Sequence, residues 1–126
     1  MPANLKARIL VVENHSTIRK IITGVLRQRG YNDIIEVEDG SKALGLLHRE
    51  KFDFVITEWA IPNLSGLDLL KAIRADPERK NIPVLMITSE AQPHNIKAAA
   101  LAGVSGYMVK PFAADTLSKQ IAKILH

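Results

Sequence analysis

The sequence predicts an α/β protein in which parallel strands form one sheet covered by helices on both faces. Three observations lead to this. Five short apolar runs recur along 126 residues, each reading as a strand buried on both faces. Stretches with helical spacing fill the gaps between them, giving β–α units with no repeat, low-complexity segment or linker. The turn after the first run, ENHSTIRK, contains no glycine.

The first run is Ile9–Val12. Ile18, Ile21, Ile22, Val25 and Leu26 then follow the i, i+3, i+4, i+7, i+8 spacing of one buried helix face. Gly30 stands where a left-handed C-terminal cap belongs. The second and third runs are Ile34–Val37 and Phe54–Ile56. The third helix should end before Asp76-Pro77, because the residue preceding a proline is driven out of the helical region. After the fourth run, Val84–Ile87, Pro93 marks the start of a fourth helix and Gly103 follows its end. Tyr107–Val109 is the fifth run, and Leu117, Ile121, Ile124 and Leu125 line one face of the closing helix.

Rossmann order usually goes with a glycine-rich first turn, which is missing here. The expectation is therefore flavodoxin-like order, 2-1-3-4-5, in a (βα)5 three-layer sandwich forming one domain over residues 1–126. Such a sheet places a ligand site outside the carboxyl ends of its strands, near the switch between the first and third.

Composition narrows the class. The chain is 47% hydrophobic, enough to bury a single core, and has no cysteine, so it has neither disulfides nor thiolate metal sites. That suits a reducing cytoplasm, the expected location. No apolar run is long enough to span a bilayer, and membrane insertion is not expected. The formal charge is +4, but Arg19, Lys20, Arg27, Arg29, Lys71, Arg74, Arg79 and Lys80 are scattered without interleaved aromatics. A solvated surface is expected, with no nucleic-acid binding. His15, His48, His94 and His126 show no ligand spacing and read as surface imidazoles, although His15 adjoins the expected rim.

The residues just past the apolar runs carry the chemistry. Glu13 and Asn14 follow the first, Glu58 the third, Thr88 the fourth and Lys110 the fifth. A carboxylate or ammonium is costly to leave unpaired at a strand end, so these groups should satisfy one another on one rim. Carboxylates and an amide oxygen suit a hard divalent cation, while a hydroxyl and an ammonium suit phosphoryl oxygens. The set reads as a receptor for a phosphoryl group.

In their order and spacing, ILVVEN-HSTIRK, VEDGSKAL, VITEWAIPNLSGLDLLKAIR, PVLMITSEA and AGVSGYMVKPF resemble response-regulator receiver domains, particularly single-domain CheY-like chemotaxis receivers of two-component phosphorelay signalling. The resemblance puts Glu58 at the phosphoacceptor position, Thr88 at the switch hydroxyl, Lys110 at the phosphate-contacting lysine and Tyr107 at the aromatic that swings inward on activation. It puts Glu13 and Asn14 at the acidic pair that, with Glu58 and the carbonyl of Ala60, would hold Mg²⁺. It also implies a cis Lys110-Pro111 bond, a signalling partner on the face formed by the fourth helix, fifth strand and fifth helix, and phosphorylation by a sensor histidine kinase. No output domain is expected after the closing helix.

The acidic site departs from the family pattern: glutamate then asparagine replaces the aspartate pair, and Glu58 replaces the acceptor aspartate. The extra methylene carries the Glu58 carboxylate roughly 1.5 Å further, about one C–C bond. A displacement of about 1 Å can slow in-line attack on the order of 100-fold. Asn14 contributes no charge, so Mg²⁺ binding should be weak or absent.

The first expectation is thus an atypical, stand-alone, non-enzymatic receiver that binds proteins, with phosphorylation impaired or lost. Glu58 would imitate a phosphorylated aspartate, accepting hydrogen bonds from Thr88 and Lys110; the competing expectation has Glu58 simply paired with Lys110 in an inactive domain. The second is a working Mg²⁺-dependent phospho-accepting receiver. A flavin or nucleotide binder on the same fold is remote, because ENHSTIRK offers no phosphate-cradling loop.

Overall fold

A computed structural model describes residues 4–125. Elements alternate along the chain as β1 (Ile9–Val12), α1 (Ser16–Gln28), β2 (Ile34–Val37), α2 (Gly40–Arg49), β3 (Phe54–Thr57), α3 (Gly66–Ala75), β4 (Val84–Thr88), α4 (Pro93–Leu101), β5 (Gly106–Val109) and α5 (Ala114–Ile124). All strand pairs are parallel and the order is β2-β1-β3-β4-β5. This is the expected flavodoxin-like sandwich. Strand β1 pairs with both β2 and β3, so the switch in winding lies at its carboxyl end.

Alternation along the strands divides the core in two. Ile9, Val11, Phe54, Ile56, Leu85 and Ile87 point to the face covered by α1 and α5, against Ile22, Leu26, Leu117 and Ile121. Leu10, Val12, Val55 and Val84 point to the other face, against Leu47, Leu69, Leu70 and Ile73 of α2 and α3. Each fully buried leucine, isoleucine or phenylalanine contributes about 1.5–3 kcal/mol relative to exposure, so these paired faces supply the main driving force for folding.

Several local expectations hold. Gly30 (φ 100°) and Gly103 (φ 91°) adopt the left-handed conformation beyond α1 and α4. Pro93 opens α4, and α3 stops at Ala75, before Asp76-Pro77. His15, His48 and His94 are exposed, whereas His126 lies outside the described residues.

The expected buried face of α1 needs one correction. Ile22, Val25 and Leu26 are buried, but Ile21 is 43% exposed. The apolar stripe is wider than the surface that the sheet and α5 cover. Ile21 is left beside Ile18, Lys110, Pro111 and Phe112 around a mostly apolar hollow of about 310 Å³.

Candidate functional site

Backbone hydrogen bonding continues one rung beyond three strands and thereby fixes three charged residues. The amides of Glu13, Glu58 and Lys110 donate to the carbonyls of Val37 (3.0 Å), Val12 (3.0 Å) and Thr88 (2.8 Å). Glu13 and Glu58 start from neighbouring positions because β1 and β3 are paired in register. The chain beyond β3 is then free to turn sharply only because residue 66 is glycine: a Cβ there would come within 2.1 Å of the Glu58 carbonyl oxygen. Arg19 secures the neighbouring loop, donating from Nη1 to the Glu13 carbonyl at 2.7 Å and from Nε to Glu36 at 3.2 Å.

At the rim, Lys110 Nζ donates to Glu13 Oε1 at 2.6 Å and to Glu58 Oε1 at 2.7 Å. The carboxylates are 1% and 5% exposed, while the lysine side chain retains 14% of its surface. Their second oxygens are held as well. Glu13 Oε2 accepts the His15 amide at 3.1 Å, with His15 Nδ1 at 3.4 Å. Glu58 Oε2 accepts the amides of Trp59 at 2.5 Å and Ala60 at 3.4 Å. The length of glutamate permits this: one oxygen reaches across to Lys110 while the other folds back on the backbone that follows β3. Burial pushes the Lys110 ammonium toward neutrality, but its hydrogen bonds to Glu13 and Glu58 and their charges outweigh that and raise its pKa.

The remaining expected residues divide. Thr88 is fully buried at the end of β4, yet makes no hydrogen bond to Glu58; its Oγ1 accepts the Glu90 amide at 3.2 Å. The expectation that Glu58 accepts from both Thr88 and Lys110 is therefore corrected to Lys110 alone, because the folded-back carboxylate is already satisfied by Lys110, Trp59 and Ala60. Tyr107 is partly buried, and its hydroxyl donates to the Glu90 carbonyl at 2.6 Å. Burial, followed by the charges of Glu90 and Glu58, raises the pKa of this phenol. Asn14 is exposed, and among the described residues no hydrogen bond joins its amide to Glu13, Glu58 or Lys110. Ala60 contributes its N–H to Glu58. The Lys110-Pro111 bond is cis, as expected.

Sequence reasoning missed several participants: the Trp59 and Ala60 amides, the Arg19 guanidinium, the Glu90 backbone and the Glu13–His15 contact. Glu90 joins Thr88 to Tyr107 through its own N–H and C=O, and its side chain accepts Asn95 Nδ2 at 3.1 Å. Backbone donors and acceptors carry no residue-type signal. Only the nearness of Glu90 to Thr88 hinted at it.

As placed, these residues do not fit a divalent cation. All four carboxylate oxygens of Glu13 and Glu58 are engaged by protein donors. Among the described residues no three His, Cys, Asp or Glu side chains gather closely enough to hold a metal. Asn14 adds only a neutral oxygen, where Mg²⁺ favours charged ligands and near-ideal octahedral geometry.

Comparison with known proteins agrees with the fold. The family model of the response regulator receiver domain matches residues 9–122. The chemotaxis protein CheY-3 of Vibrio cholerae is 50% identical over 121 residues, spanning 96% of this chain and 93% of that protein. The solved structure of the chemotaxis response regulator CheY4 of Vibrio cholerae superposes with a TM-score of 0.87 at 31% identity, over 95% of this chain and 99% of that one. A receiver domain of the sensor histidine kinase PA1611 from Pseudomonas aeruginosa, described with a magnesium ion coordinated in its active-site cleft, superposes with a TM-score of 0.84 at 26% identity, over 95% of this chain and 98% of that one. With its strand order, its rim of charged residues and this match over nearly its whole length, the chain belongs to the response regulator receiver domain family and is CheY-like.

Proposed function

We propose that this CheY-like receiver acts as a single-domain, non-enzymatic protein-binding switch in two-component signalling, with phosphorylation impaired or lost at Glu58. The observation that carries this reading is the engagement of both Glu58 oxygens, one by Lys110 and the other by the backbone amides of Trp59 and Ala60. An attacking carboxylate needs a free oxygen in line with the phosphoryl group, and here attack first breaks charge-assisted hydrogen bonds. Each of these is worth about 1.5–3 kcal/mol.

The resting state combines two features. Lys110 and the backbone amides meet an anion already present in the chain, and Tyr107 is tied inward to Glu90, which supports an active-like bias. Thr88 stays with Glu90 and contributes nothing to that bias. The surface around α4, β5 and α5 is the proposed docking face for a signalling partner: Ile96, Leu101 and Val109 are exposed there, while Ala99 is used up in packing. A cytoplasmic location fits this role, and among the described residues no helix is long and apolar enough to cross a membrane.

The test is the intact mass of the protein after incubation with Mg²⁺ and acetyl phosphate, beside a variant carrying Glu58→Asp and Asn14→Asp. The proposal expects no adduct on the natural protein and one phosphoryl group on the variant. An adduct on Glu58 of the natural protein selects the second reading, a Mg²⁺-dependent receiver phosphorylated by a histidine kinase; the likeness to a receiver with magnesium in its cleft favours that reading.

A further inference from the structure

We infer that Lys110 is the resident cation of the acidic pocket, taking the place of a divalent metal ion between Glu13 and Glu58 and so making the pocket independent of metal. This deepens the proposed function and rests on it for treating the pocket as the receiver's switch site. The geometry is that of a shared ligand. One Nζ lies 2.6 Å from Glu13 Oε1 and 2.7 Å from Glu58 Oε1, and these two oxygens belong to residues that directly follow the adjacent, paired strands β1 and β3. An ammonium with three donors bridging two carboxylates does part of what a small cation does there: it offsets one of their two negative charges and holds both oxygens on one atom.

The residue types around it agree. Asn14 supplies no third charge beside Glu13, so the single positive charge of Lys110 leaves a net charge of −1 on the two glutamates, where a second acidic residue at position 14 would leave −2. Both carboxylates are glutamates, and both are long enough to leave one oxygen on Lys110 while the other reaches a backbone amide. A divalent ion entering this pocket competes with a positive charge already bound to the same oxygens. Coulomb repulsion at such short range in a partly desolvated site is large. Removing the ammonium therefore has an unusual consequence, in that it leaves two buried carboxylates that shared one cation with no cation between them. The natural protein should bind divalent ions poorly, and loss of the lysine charge should create the affinity.

The experiment titrates Mn²⁺ into the natural protein, Lys110→Met and Lys110→Arg, following quenching of Trp59 and the shift in thermal midpoint. Lys110→Met is expected to bind Mn²⁺ tighter than the natural protein by on the order of tenfold or more, because a repelling unit charge has been removed from the site. Lys110→Arg, which keeps the charge, is expected to match the natural protein. Equal affinity of the natural protein and Lys110→Met, whether strong or weak, overturns the inference, as does weaker binding in Lys110→Met. Should Lys110→Met not fold, Lys110→Gln, whose amide can still donate to one carboxylate, carries the same comparison and the same two outcomes. Acetyl phosphate mass measurements on these samples keep the questions apart: an adduct on the natural protein removes the phosphate-independent reading and leaves the cation comparison to be decided by Mn²⁺.

Discussion

The two ends of the sheet each place one basic side chain between two acidic ones, and their surroundings make them different objects. At the carboxyl rim Lys110 lies between Glu13 and Glu58, which are buried. At the amino end Arg8 Nη2 meets Glu50 at 2.6 Å, and its Nε stands 3.5 Å from Asp33 without a hydrogen bond. Arg8 is 32% exposed, and its guanidinium also lies 5.1 Å from the Phe52 ring centroid. The same charges in contact with water are worth little, because desolvation is incomplete and solvent screens them. Buried, they are held in place by the cost of separating them. The rim is where the molecule cannot easily rearrange, and the proposed switch positions lie there.

Breaking the two clusters should therefore give unequal effects. Lys110→Met leaves two buried carboxylates facing each other and is expected to lower unfolding free energy by about 3 kcal/mol, the low end for a broken buried pair because the ammonium retains some solvent contact. Urea denaturation measures it. The pH dependence follows from the same pair. A raised lysine pKa means that the stabilisation is fully present below the ordinary value of 10.5 and is lost as pH climbs through the higher folded value. The natural protein should lose stability in that alkaline range more steeply than Lys110→Met.

Arg8→Met should cost less than about 1 kcal/mol, and its effect should shrink further in high salt while that of Lys110→Met persists. The smallest expected effect is at Asp39, which caps α2. The Ser41 hydroxyl first, then the Lys42 amide and the Asn63 side chain, hold its carboxyl at about 2. A depressed carboxyl pKa stabilises above the ordinary value of 3.8, and that contribution fades as pH falls through about 2. Asp39→Asn should flatten the acid limb of a thermal-stability profile in that window.

The contrast also explains what could be read from the sequence. Apolar runs such as Ile9–Val12 and Val84–Ile87 announce themselves because strands covered on both faces must be apolar throughout. Thr57 and Thr88 extend their strands by one residue because a polar β-branched side chain is tolerated where the ladder meets the rim. Ile21 misled because periodicity reports which residues share a helix face and says nothing about how much of that face the neighbours cover. At the site, Glu13, Glu58 and Lys110 were legible as charged residues at strand ends. Which oxygen each donor meets was not. The turn of Glu58 away from Thr88 depends on the Trp59 and Ala60 amides, which any residue type would supply.

Lys110 and Glu58 hold each other in a buried, charge-assisted contact. The most direct test is a double-mutant cycle of Lys110→Met and Glu58→Gln, read by urea denaturation. The expected coupling is about 1.5–3 kcal/mol, the range for a hydrogen bond to a charged group. Additive effects of the two substitutions, with no coupling, would contradict it.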